Sequence, residues 1–290
     1  MTPQQKVQNL PIWRGAARVE PLGGGITNLN FVVEDDAQKV VVRIGDDIPL
    51  HQILRFNELS ASRAAHAAGV SPAVIYHAPG ALVITHIKGR TMTPADFSDD
   101  AVLDQALALV ARAHREIPQY LRGPALVFWV FHVLRDYAGT LRDAGSRYAA
   151  ALPELLAQAM LLEVAVGQID LVFGHNDLLA ANFLHDGVRM WLIDWDYAGF
   201  NSPLFDLGGL AANTGLTKRQ EARMLGAYFG RSLDADLWRK YKAMKAAAAL
   251  RETLWSMVSE IYSEIDFDYA AYTASNISTY RAAFAAFENT

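Results

Sequence analysis

The sequence predicts an α+β chain of two lobes. A small β-rich amino-terminal lobe spans residues 1–87, and a larger, mostly helical lobe spans residues 88–290. Three observations carry this. Runs of β-branched residues broken by short polar pairs crowd the first part of the chain, and such runs form strands and hairpins. From Asp96 onward, apolar residues recur at helical spacing. One segment of strand character, Phe173 to Leu207, interrupts that helical stretch.

Taken in order, Pro21 to Gly25 reads as a turn-rich block, and ITNLNFVVE and KVVVRIG read as two strands joined at Asp35-Asp36. Leu54 to Ala68 is rich in helix formers and stops at Gly69. Val70 to His77 and Ala81 to Ile87 form a second strand pair around Pro79-Gly80. Gly89-Arg90 marks the change of lobe. Beyond it, DQALALVARAHREI sets Leu103, Leu107, Val110 and His114 on one helical face. Helices are also predicted over Phe128 to Tyr148, Leu152 to Gly167, Lys218 to Phe229, Ala235 to Ile265 and Tyr269 to Phe287.

Composition narrows the classes. A hydrophobic fraction of 52% and a charged fraction of 20% suit a folded globular chain. The formal charge of −5, with no basic run, argues against nonspecific nucleic-acid binding, which needs clustered cations. With no cysteine, there is no disulfide, thiolate metal site or cysteine nucleophile, which fits a reducing cytoplasm. The amino terminus lacks a basic region followed by an apolar stretch. The longest apolar run, Ala125 to Leu134, falls short of the ~20 residues a membrane span needs, so no membrane insertion is expected. Oligomeric state is not readable.

The most informative stretch is FGHNDLLAANFLHDGVRMWLIDWDYAGFNSPLFDL, residues 173–207. It orders Asp177, Asn182 five residues on and Asp194 twelve further, on a segment that could fold as a strand-loop-strand hairpin. Phosphoryl transfer to a hydroxyl needs such a set: one carboxylate to accept the proton, and an Asn and a second carboxylate to hold magnesium against the phosphates. Asp177 is the candidate base, and Asn182 and Asp194 are the candidate Mg2+ ligands. His175 could itself serve as a base near neutral pH.

HND followed by four residues and Asn parallels the HRD-x-x-x-x-N loop of protein kinases, and IDWD stands where those enzymes carry DFG. The phrase HNDLLAANFL…LIDWDYAGFNSPLFDL resembles the choline/ethanolamine kinases, especially small bacterial choline-kinase-like proteins, within the aminoglycoside phosphotransferase group. The resemblance implies a protein-kinase-like fold, ATP and Mg2+ as cofactors, and a small cationic amino alcohol as substrate. It also implies that His175 is a scaffold that fixes the loop, and that Asp206 supports the same loop.

On the nucleotide side, GG-x-TN-x-x-F is similar to the family's phosphate loop, which brings in Gly24, Gly25, Thr27 and Asn28. A plain hairpin turn would show the same glycines. Arg43 sits in an apolar strand, where a charge is expensive unless paired. Protein kinases pair a Lys there with a Glu on the next helix, so Arg43 and Glu58 fill those roles. Adenine would lie against the crossover from Val83 to Ile87; nothing separates ATP from GTP.

On the acceptor side, cationic amines are recognised by aromatic faces and carboxylates. Trp195, Asp196 and Tyr197 follow the metal Asp, and Trp255 lies in a late helix that resembles the family's acceptor helix. Glu252 stands one turn earlier, where choline kinases tend to carry a second Trp. That exchange removes an aromatic panel and adds an anion. Choline or ethanolamine is the expected acceptor; an aminoglycoside-like antibiotic, thiamine or a catalytically inactive scaffold are the alternatives.

Overall fold

A computed structural model describes residues 2–23 and 28–290. Gly24, Gly25 and Thr27 of the expected phosphate loop lie outside the described residues. The chain opens with a short helix, α1 (Pro3–Gln8), capped by Thr2 and Gln5. Five strands follow in one antiparallel sheet: β1 (Arg18–Leu22), β2 (Leu29–Glu34), β3 (Lys39–Ile44), β4 (Val74–Ala78) and β5 (Ala81–Thr85), in the order β1-β2-β3-β5-β4. The expected hairpin is β2 and β3, with Val33 opposite Val40. Its turn is set by Asp35, whose carboxylate accepts from the backbone N–H of Ala37 and Gln38.

Pro21 lies inside β1, not in a turn. The sheet tolerates it because β1 is an edge strand, where a missing N–H costs no ladder bond. The helix α2 (Arg55–Ala67) links β3 to β4 and ends ahead of Gly69, whose φ of 73° suits glycine.

The helical part contains α3 (Asp100–Tyr120), α4 (Val130–Asp143) and α5 (Leu152–Val166), then, after the strand-bearing segment, α6 (Pro203–Thr214), α7 (Lys218–Phe229), α8 (Ala235–Tyr262) and α9 (Tyr269–Glu288). α6 is a helix the sequence reading did not predict; Ser202 caps it and Pro203 occupies its first turn. The stretch Ala149–Val166 is long and apolar enough to cross a membrane by length and composition, which the longest-run reading overlooked because Pro153, Glu154, Gln158 and Glu163 interrupt it.

Two cores form. Val7, Phe31, Val33, Val40, Val42 and Val83 build the smaller one on the sheet. The larger one fills the helical part, and it also takes in Ala61, Ala64 and Ala65 of α2. The segment between α5 and α6 folds as two nested strand pairs. β7 (Val172–Gly174) pairs with β10 (Gly199–Asn201), and between them β8 (Phe183–His185) pairs with β9 (Met190–Leu192). A two-residue strand, β6 (Arg90–Thr91), joins the far edge of β8.

Candidate active site

The inner pair sets the spacing of the site. Asn182 immediately precedes β8 and Asp194 follows β9 by two residues, so the hairpin returns one to the other; the N–H of Ile193 donates to the carbonyl of Asn182 at 3.0 Å. The Asn182 amide donates to the carbonyl of Asp177 at 2.9 Å. The Asn182 side chain thus reaches the Asp177 backbone, and the Asn182 carbonyl holds the residue that precedes Asp194. Asp194 has φ of 71° and Asn176 φ of 65°, the left-handed region that Asp and Asn tolerate best among non-glycine residues.

Asp206, at the start of α6, accepts from the backbone N–H of both His175 and Asn176 at 2.7 Å. His114 of α3 donates to the same carboxylate at 2.9 Å, so this core histidine has a defined task. Burial penalises the Asp206 charge, yet His114 and these donors hold its carboxyl below the ordinary value. The Asn176 amide donates to the carbonyls of Tyr197 and Gly199, fastening the outer strand pair.

His175 does not fit the role of a base. Its Nε2 donates to the carbonyl of Ile193 at 2.8 Å, and its ring packs 4.7 Å from Trp195. Burial lowers its pKa, so the ring stays neutral and serves to tie the Asp177 loop to the Asp194 loop.

The cleft between sheet and helices has a volume of about 330 Å³. Its lining includes Arg43, Glu58, Ile87, Asn182 and Asp194. Arg43 donates to Glu58 at 2.5 Å and to Asp194 at 2.6 Å, and it also bonds Asp196. Arg55, a residue the sequence reading passed over, adds bonds to Glu58, Asp196 and Asn28. Burial raises the Asp194 carboxyl, but the Arg43 guanidinium, with His175 and Arg55 adding to it, brings the net shift downward. Two oxygen-bearing side chains, Asn182 with its amide nitrogen already committed and Asp194, face one cleft. That donor set suits magnesium, which takes few protein oxygens and fills the rest with phosphate and water.

A second, smaller cavity of about 50 Å³ lies among α6, α8 and α9, next to the Asp177 loop. Asp177, Asn213, Arg251, Glu252 and Asn276 line it. Burial pushes the Asp177 carboxyl up to about 8, with the Arg251 cation pulling the other way. A carboxyl so placed ionises at neutral pH only with cations beside it.

The expected acceptor residues divide. Glu252 faces this cavity. Asp196 does not: Arg43 and Arg55 take one of its oxygens and the Asn28 amide takes the other. Trp195 is buried against His175, donates to Ser71 and borders the larger cleft. Trp255 and Tyr197 bond each other at 2.9 Å, and both are buried behind the cavity wall. The residue missed here is Arg251, a charge inside the apolar run AAAALRETLW. The argument that singled out Arg43 in its strand applies to it equally.

Residues 18–244 match the phosphotransferase enzyme family. The chain belongs to that family. The phosphotransferase is 25% identical over 262 residues to the protein LicA of Haemophilus influenzae, covering 88% of this chain and 76% of the relative. It is 25% identical over 296 residues to a probable ethanolamine kinase of Arabidopsis thaliana, covering 91% and 78%. A solved choline/ethanolamine kinase family protein from Mesorhizobium loti matches the phosphotransferase with a TM-score of 0.76 and 29% identity, over 97% of this chain and 92% of the other. The protein-kinase-like arrangement of β-rich and helical parts is therefore shared with that structure.

Proposed function

We propose that this phosphotransferase moves the terminal phosphate of ATP to the hydroxyl of a small amino alcohol, choline or ethanolamine, with Asp177 as general base. One observation carries the reading. Asp177 lines the smaller cavity, while Asn182, bonded to the Asp177 carbonyl, and Asp194 line the larger cleft. A hydroxyl in the cavity and a triphosphate in the cleft would meet at that loop.

In this reading the residues divide the work. Adenine lies against Thr85, His86 and Ile87, which border the cleft. Gly24, Gly25, Thr27 and Asn28 receive phosphate oxygens, and Arg43, steadied by Glu58, reaches the same phosphates. Asn182 and Asp194 would hold magnesium, whose charge offsets that of the phosphates. Asp177 orients the acceptor hydroxyl and takes its proton as the P–O bond forms. Positioning of this kind supplies most of the acceleration in phosphoryl transfer. His175 and Asp206 keep the loop in place. The kinase names of the relatives and the carboxylate of Glu252 in the cavity support an amine-bearing acceptor. A cytoplasmic location goes with this reading and with the absence of cysteine.

The test is Asp177→Ala assayed with ATP, magnesium and each amino alcohol. Transfer should fall on the order of 10²–10⁴-fold, the usual worth of a positioned base, while nucleotide affinity stays within about twofold. Turnover at the unaltered rate would overturn the assignment.

A further inference from the structure

We infer that the outward face of α5 is a dimerisation surface, covered in solution by the same face of a second copy of this chain.

α5 buries Leu152, Ala159, Leu162 and Val166 in the core of the helical part. Its opposite side is apolar as well. Pro153, Ala157, Met160, Leu161 and Val164 are all exposed. At 3.6 residues per turn these five fall within an arc of about 100°. Val164 is 78% exposed, Met160 61% and Leu161 56%. A surface helix ordinarily turns charged and polar residues outward. Here the charges stand at the edges of the stripe. Glu154 accepts from the Gln158 amide at 3.2 Å, and Glu163 accepts from Arg135 at 2.8 Å and from the Trp129 indole at 2.9 Å. No described residue covers the stripe between them.

The extent fits a partner of protein size. Five such side chains offer on the order of 400 Å² of apolar surface, and each partner in a standard interface buries about 800 Å², a little over half of it non-polar. The chemistry selects a second copy over a bilayer. Helices that lie in a lipid interface set Lys and Arg against the headgroups. α5 has neither, its only charged residues are the two glutamates, and the chain carries a formal charge of −5. α5 cannot cross a membrane either, because its inner face would have to leave the core. A two-fold contact sets one patch against itself, so an uncharged stripe meets its copy with no like charges opposed.

The experiment is sedimentation velocity on the full chain from low to high micromolar concentration, with phosphatidylcholine–phosphatidylglycerol vesicles as a separate arm. At the upper end the chain should sediment with twice its own mass. Met160→Glu with Val164→Glu should weaken this self-association at least tenfold. Both side chains are exposed, and a circular-dichroism melt verifies the fold. The chain has no cysteine, so single substitutions give a second reading that adds no charge to the stripe. Under mild oxidation, at least one of Ala157→Cys, Met160→Cys and Val164→Cys should form a disulfide-linked dimer at least tenfold faster than Val188→Cys in the β8–β9 turn. Sedimentation as a single chain at every concentration overturns the inference. So does a dimer that the folded glutamate variant keeps at full strength, or one whose three cysteines link no faster than Val188→Cys. A single chain that binds the vesicles, and loses them in the glutamate variant, overturns it in favour of lipid.

Discussion

Arg43 Nη2 lies 2.6 Å from Asp194 Oδ1, joining the middle of the amino-terminal sheet to the loop that follows β9. The same guanidinium serves Glu58 and Asp196, so one cation holds three carboxylates. Removing it leaves buried like charges, with Arg55 still bridging Glu58 and Asp196. Arg43→Met should therefore destabilise the fold by about 3–5 kcal/mol, the usual result of stripping one member from a buried ion pair. Arg43→Lys should recover part of this, since an ammonium cannot span the same fork. Urea denaturation of the three proteins checks the order.

Asp206 offers a sharper case, because its acceptors serve backbone. Asp206→Ala strands two buried N–H groups, of His175 and Asn176, and leaves His114 without its acceptor. Each stranded donor costs about 1–3 kcal/mol. The melting temperature should drop markedly, and Asp206→Asn, which keeps one acceptor, should lie between. Transfer should suffer in both, because the Asp177 loop loses its anchor. A melt unchanged by the Ala variant would contradict this account of the loop.

Acid should weaken the fold through His51. The ring packs 5.2 Å from Trp255, with Nδ1 3.2 Å from the Tyr137 hydroxyl. Burial, then the Arg251 charge, pushes its pKa down to about 4. The unfolded imidazole takes a proton near 6.5, so the unfolded state binds protons first as pH falls. The contribution of neutral His51 is complete above pH 6.5 and is lost between there and about pH 4. At one pK unit per 1.36 kcal/mol, that is roughly 3 kcal/mol. His51→Gln should flatten this part of the curve, seen as a smaller difference in urea midpoint between pH 7.5 and 4.5. Parallel curves for the two proteins would exclude His51 as the cause.

Gly208 marks where α6 and α8 nearly touch. A Cβ there would come within 2.9 Å of the Lys245 Cα. Gly208→Val should cost about 1–3 kcal/mol by forcing the helices apart. Because α6 carries Asp206, transfer should fall along with stability. Equal activity at equal loading would show that the helix contact and the loop are independent.

Much of the fold is written in local pattern. The β2–β3 hairpin, α2, α7 and α9 follow from β-branched runs, helix formers and caps close to where they are observed. β1 and α6 were hidden because each contains residues that read as breakers, Pro21 near the end of one and Ser202-Pro203 at the start of the other. The order of Asp177, Asn182 and Asp194 was legible because a hairpin turns sequence spacing into proximity. The acceptor side was not. Whether Trp255 or Arg251 faces the cavity depends on the rotation of α8 within a bundle that touches it on several sides, and no local pattern specifies that angle. Asp196 misled for a related reason: adjacency to Asp194 does not fix the direction of its side chain, and two arginines from elsewhere in the chain decide it.

The packing of α2 has a mechanical result. Its alanine face is set into the body of the helices, while the strand that bears Arg43 belongs to the separate core of the sheet. The Arg43–Glu58 contact is therefore a latch across the seam between two solid parts. Any parting of the two along that seam has to strain the latch.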